Sequence, residues 1–138
     1  HLVDKYPELI FRVDYVKALF PDARIVFITR SGADAVPSVV NWSQRLGVSG
    51  GGHRDDWWGR DDLKWHYLRN QLILADNDYQ AVWPLARADL DHGNRAALEW
   101  IVTMREGLRQ QQRHPDTVIR IAYEDLLAAP AEALSKLQ

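Results

Sequence analysis

Residues 20–42 read FPDARIVFITRSGADAVPSVVNW, and their order decides the fold. The apolar, partly β-branched run Ile25-Val26-Phe27-Ile28 predicts a short strand over 24–29, buried on both faces. Arg30 follows, then a Ser31-Gly32 turn, then a segment of helical character over 33–42 that carries Ser38. Pro37 fits the first turn of a helix, which places the start near Val36. Asp34 suits an N-cap. A strand, a tight turn and a helix start together make a phosphate-binding corner. The first N–H groups of a helix lack intrahelical partners and carry partial positive charge. Arg30 adds a planar fork of donors matched to a phosphate, and Ser38 adds a hydroxyl to the same anion. The plainer account of Arg30 is a solvated arginine just past a strand.

A second strand is expected over 117–123, with Val118, Ile119, Ile121 and Ala122. Between the two strands lie helical patterns over 63–75, with Trp65, Leu68, Leu72 and Ala75 on one face, and over 83–90 and 94–113. The last is read as capped by Asn94 and stopped by His114-Pro115, with an apolar face of Ala97, Leu98, Ile101, Val102, Met104 and Leu108. Arg105, Arg109 and Arg113 fall on its solvated side. Further helices are expected over 11–20 and 131–138. Strand, helices, strand implies a right-handed crossover, hence an α/β fold with a parallel sheet flanked by helices. Ligands of such sheets bind at the carboxyl ends of the strands. Arg30 and Tyr123 both fall at such ends.

The bulk properties narrow the partners. The chain has 138 residues, 46% of them hydrophobic and 26% charged, with a net charge of −2. That is an ordinary globular composition without the broad basic footprint of a nucleic-acid binder. There is no cysteine, so disulfides and thiolate metal sites are excluded, and the chain fits a reducing, cytoplasmic compartment. His53 and His66 lack partners at metal-ligand spacing, and no metal is expected. No apolar run approaches the roughly 20 residues that span a bilayer. Abundant arginine, alanine and aspartate suit a GC-rich bacterial genome. Residues 46–62, LGVSGGGHRDDWWGRDD, change texture and read as a mobile loop whose Trp57 and Trp58 pack on a substrate or on a neighbouring element. Gly50-Gly51-Gly52 lacks a preceding strand and the Gly-Lys-Ser/Thr ending of a P-loop. Patterned sequence runs to both ends, so residues 1–138 read as one truncated domain.

Three motifs give the chain a family resemblance. Phe20-Pro21-Asp22-Ala23, Arg30, Asp34 and Ser38 resemble the 3′-phosphate-binding segment of the cytosolic and bacterial sulfotransferases, in which a serine stands eight positions after the arginine. Ser31-Gly32 departs from the Arg-Asp-Pro or Arg-Asn-Pro turn usual there. Tyr123-Glu124-Asp125-Leu126 is similar to a motif at the end of a later sulfotransferase strand, and Lys5-Tyr6-Pro7-Glu8 to the Lys-Thr-Pro-Glu opening of bacterial members. The middle third departs most from the pattern.

The resemblance implies a P-loop-NTPase-like sulfotransferase fold, present here in part. It implies transfer of a sulfuryl group from 3′-phosphoadenosine 5′-phosphosulfate to a hydroxyl or amine of a small molecule or glycan, without a metal. Arg30 and Ser38 then hold the 3′-phosphate, and Tyr123 contacts the adenine. Glu124 and Asp125 are expected to cap the following turn. Lys5 lies beside the transfer site or is a plain surface lysine. Pro7 stands where the cytosolic enzymes place a catalytic histidine, so Glu8 or Asp4 replaces that base, or it lies upstream. Trp57, Trp58 and Trp65 suit an apolar or ring-bearing acceptor. Nothing here matches the family's phosphosulfate-binding loop, so the chain is expected to carry the 3′-phosphate and adenine half of the donor site and not to turn over alone. Two other readings stay open: a nucleotide-kinase-like P-loop enzyme, and a non-catalytic nucleotide-binding or interaction domain.

Overall fold

The computed structural model describes residues 3–137. They form two compact units: one combines the residues up to Arg30 with those from Thr103 onward, and the other is Ser31–Val102.

The first unit is α/β. A 3-10 turn over Pro7–Arg12, with proline in its first turn, leads into helix α1 (Val13–Leu19). Strand β1 (Ile25–Thr29) lies parallel to β5 (Val118–Ala122), in register from Ile25↔Val118 to Thr29↔Ala122. Helix α4 (His92–Arg113) contributes its second half to this unit. Helices α5 (Tyr123–Ala128) and α6 (Pro130–Ser135) follow β5. The expected last helix thus ends at Ser135, and Gln138 lies outside the described residues. Asp14 ties α1 to the end of α4 by pairing with Arg113 (2.9 Å) and His114 (2.9 Å). The core gathers Ile10, Val13, Phe27 and Val118, with Phe11, Ile25 and Met104 packed against it.

The strand β1 is buried on one face only, where two were expected. Phe27 is buried, while Val26 and Ile28 on the opposite face are 43% and 50% exposed. An apolar run fixes the strand, but coverage depends on what packs on each side of the sheet. Gly107 of α4 explains the tight side. A Cβ there would run into the Phe27 ring. The missing side chain lets the helix backbone sit directly on the aromatic. Gly107→Ala is therefore expected to destabilise the unit by about 1–3 kcal/mol, overpacking outweighing the gain in helix propensity. Denaturant unfolding measures this, and Phe27→Leu in the same chain should recover part of the loss.

The second unit opens with helix α2 (Gly32–Leu46). It starts earlier than Pro37 suggested, because the Ser31 carbonyl accepts from the N–H groups of Asp34 (3.2 Å) and Ala35 (2.9 Å). Pro37 lies inside the helix, and Asp34 sits in its first turn without a side-chain capping bond at Ser31. A Cβ on Gly32 would lie 3.1 Å from the indole of Trp100, so glycine here admits that ring against the start of the helix.

Residues 46–62, expected as an unstructured loop, contain an antiparallel meander of β2 (Val48–Gly50), β3 (His53–Asp56) and β4 (Gly59–Arg60). Gly50 pairs with His53, leaving Gly51 and Gly52 as the hairpin turn with φ of +61° and +80°. Two successive positive φ angles are what a turn matched to strand twist demands, and glycine adopts them without steric cost.

Helix α3 (Leu63–Tyr67) runs into a π-helical stretch, Leu68–Ile73, in which the Leu74 N–H donates to the Arg69 carbonyl. The wider turn rotates the later residues, so Ile73, not Leu72, joins Trp65 and Leu68 in the interior. The helix expected over 83–90 is instead a 3-10 segment, Asn77–Leu85. Helix α4 starts at His92, and its cap is Asp91 rather than Asn94: the Asp91 carboxylate accepts from the Asn94 N–H (3.0 Å). That backbone hydrogen bond, followed by the one from the Asn94 side chain, holds the Asp91 carboxyl below its ordinary pKa.

Candidate functional site

In the first unit the parallel register decides which residues meet. Thr29 and Ala122 are the last paired residues of β1 and β5, so the next residues, Arg30 and Tyr123, emerge side by side at the carboxyl ends. The Arg30 guanidinium carbon lies 4.9 Å from the centre of the Tyr123 ring, a cation–π contact. Both residues are exposed. Tyr123 begins α5, whose first turn also holds Glu124 and Asp125. Asp125 faces Lys136 at 3.7 Å. Lys5 is exposed and its backbone N–H donates to Asp4 (2.8 Å). Glu8 is partly buried in the first turn of the 3-10 segment.

In the second unit Ser38 is exposed on α2. The two tryptophans expected to pack on a substrate or on a neighbouring element part company. Trp58 is fully buried, at 0% exposure, and its indole N–H donates to His92 Nδ1 (3.1 Å). Its ring also meets Trp65 edge-on at 5.9 Å. It is a core residue, because the turn between β3 and β4 folds inward there: the Trp58 N–H donates to Asp56 Oδ1 (2.8 Å).

Trp57 remains part-exposed and is fixed from several sides. Its indole N–H donates to Glu99 (2.7 Å), the Lys64 ammonium sits 4.3 Å from its ring centre, and Trp42 meets it edge-on at 5.7 Å. Lys64 also pairs with Glu99 (2.6 Å), so one carboxylate orients both the cation and the ring.

Sequence reading missed the polar group beneath these rings. Asp56 has a side chain only 1% exposed, yet it faces Arg54 (2.8 Å) and His92 Nε2 (3.7 Å). Since His92 Nδ1 accepts from Trp58, the neutral ring carries its proton on Nε2, turned toward that carboxylate. No spacing in the sequence links Asp56 to His92; the meander and the start of α4 bring them together. His53 pairs with Asp61 (2.8 Å), and that hydrogen bond holds the Asp61 carboxyl below its ordinary pKa.

A model of the sulfotransferase family matches residues 1–78, more than half of the 138-residue chain. The chain belongs to the sulfotransferase family. No curated protein and no solved structure matches it. The matched residues include β1, Arg30, Ser38 and the two tryptophans of the meander; Tyr123 lies beyond them. The parallel β1–β5 pair with flanking helices is the α/β arrangement expected of a sulfotransferase. Membership makes this sulfotransferase a transferase, and the nucleotide-kinase reading gives way to it. Among the described residues no helix is long and apolar enough to cross a membrane, and no group of His, Asp and Glu is arranged to hold a metal.

Proposed function

We propose that this sulfotransferase takes its sulfuryl group from 3′-phosphoadenosine 5′-phosphosulfate and that the chain carries the 3′-phosphate and adenine half of the donor site. One observation supports this above the others: Arg30, at the carboxyl end of β1, lies against Tyr123 at the carboxyl end of the paired strand. An exposed guanidinium there offers the bidentate fork that suits a phosphate monoester. Ser38 enters on its spacing, eight positions after Arg30, as a hydroxyl donor to the same anion.

The donor supplies a group that moves in line from a phosphate oxygen to an acceptor oxygen or nitrogen, leaving adenosine 3′,5′-bisphosphate. The protein's part is to anchor the nucleotide, neutralise the leaving phosphate and take up the acceptor proton. Lys5 serves the second task in this reading and Glu8 the third, without a metal. The acceptor is a small molecule or glycan with a ring or apolar face, received by the part-exposed Trp57 and by Trp42, which is 40% exposed.

The reading is tested by calorimetric titration with adenosine 3′,5′-bisphosphate beside 5′-adenylate. Charge-assisted contacts to the 3′-phosphate contribute about 1.5–3 kcal/mol, so the bisphosphate should bind about tenfold or more tightly. Equal affinities would overturn the donor assignment.

A further inference from the structure

From the Arg30–Tyr123 contact we infer that Tyr123 is a positioning residue: its ring holds the Arg30 guanidinium for the donor's 3′-phosphate. The inference rests on the donor reading and departs from it at one residue, since the resemblance alone gives Tyr123 to the adenine.

Arg30 stands one residue past the last paired position of its strand, at the carboxyl end of β1. The parallel register delivers an aromatic ring at the matching position of the neighbouring strand, 4.9 Å from the guanidinium carbon. A guanidinium carries five N–H donors around its edge, more than a single aromatic neighbour engages, and it binds a phosphate through a pair of them. The two interactions are therefore compatible. Ordering the guanidinium before the ligand arrives lowers the cost of binding. Tyr123 itself is held at the junction of β5 and α5, so the platform is part of the backbone frame and not a loop tip.

The adenine-contact and positioning roles make different predictions for the same two ligands. If Tyr123 touches the base, its loss weakens adenosine 3′,5′-bisphosphate and 5′-adenylate alike. If it positions Arg30, only the ligand with a 3′-phosphate is affected.

The test is calorimetric titration of both nucleotides on the wild-type chain, Tyr123→Leu, Tyr123→Phe, Arg30→Ala and the Arg30→Ala/Tyr123→Leu double variant. Tyr123→Leu is expected to weaken the bisphosphate by about two- to fivefold and to leave 5′-adenylate unchanged, the scale of a solvent-exposed cation–π contact. Tyr123→Phe keeps the ring and should keep the wild-type ratio of affinities. On the Arg30→Ala background, Tyr123→Leu should have no further effect. A wild-type preference that survives Tyr123→Leu overturns the inference, as does an equal loss for both nucleotides. Tyr123→Phe falling as far as Tyr123→Leu would make the hydroxyl, not the ring, the working group and would also overturn it. A wild-type chain without any preference for the bisphosphate overturns the donor reading instead, and the positioning role with it.

Discussion

Replacing Arg30 by alanine should remove the preference for adenosine 3′,5′-bisphosphate over 5′-adenylate, a loss of about tenfold or more in the affinity of the first and little in the second. The asymmetry follows from what the residue offers. Arg30 presents a guanidinium at the end of β1, and the two nucleotides differ only in the phosphate that such a fork would grip. Arg30→Lys separates charge from shape. It keeps the positive charge but loses the planar pair of donors, so it should recover only part of the preference. Raising the salt concentration should shrink the wild-type margin as well, because the contact is made at an exposed position. An Arg30→Ala chain that discriminates as well as wild type would take the 3′-phosphate away from this residue.

The largest effect on stability is expected at Trp58. Its ring is completely buried in the Ser31–Val102 unit, against Trp65 and His92. Trp58→Ala should cost about 3–5 kcal/mol through the lost transfer of the ring and the cavity left behind. It also leaves His92 Nδ1 without its donor, 3.1 Å away in the native chain. Trp58→Phe isolates that second loss: much of the volume stays and the indole N–H goes, for about 1–3 kcal/mol. Urea unfolding followed by far-ultraviolet circular dichroism reads both, since tryptophan fluorescence changes with the substitution itself. An unfolding midpoint that did not move on Trp58→Ala would contradict the burial described here and restore Trp58 as a surface residue.

What the sequence disclosed, and what it hid, follows the range of the interactions involved. The strands β1 and β5 and the place of Arg30 were legible because a β-branched run, a following arginine and a turn are local signals. Their parallel pairing was legible because the helical patterns between them demand a crossover. How the strand is covered is not local, and Val26 and Ile28 look no different in sequence from Phe27, yet they are half exposed and it is not.

The meander was missed for a related reason. Gly51-Gly52 is a hairpin turn, but the strands on either side are short and polar, so alternation gave no sign of them. Of the two roles expected for Trp58 it takes the second, packing on a neighbouring element, and adjacent tryptophans in a glycine-rich stretch give no hint which of them turns inward. The change from Leu72 to Ile73 on the buried face follows from the π-helical stretch, which no regular 3.6-residue pattern anticipates. Asp91 displaced Asn94 as a cap because both residue types suit the position, and only the backbone bond from Asn94 to the Asp91 carboxylate decides between them.

The most direct measurement of the central claim is a crystal structure of the chain with adenosine 3′,5′-bisphosphate. The 3′-phosphate is expected at the carboxyl end of β1, with guanidinium nitrogens of Arg30 about 2.7–2.9 Å from its oxygens and the Tyr123 ring still in contact with that guanidinium. A nucleotide bound with its 3′-phosphate away from Arg30, or with Tyr123 turned from the guanidinium to stack on the adenine, would contradict it.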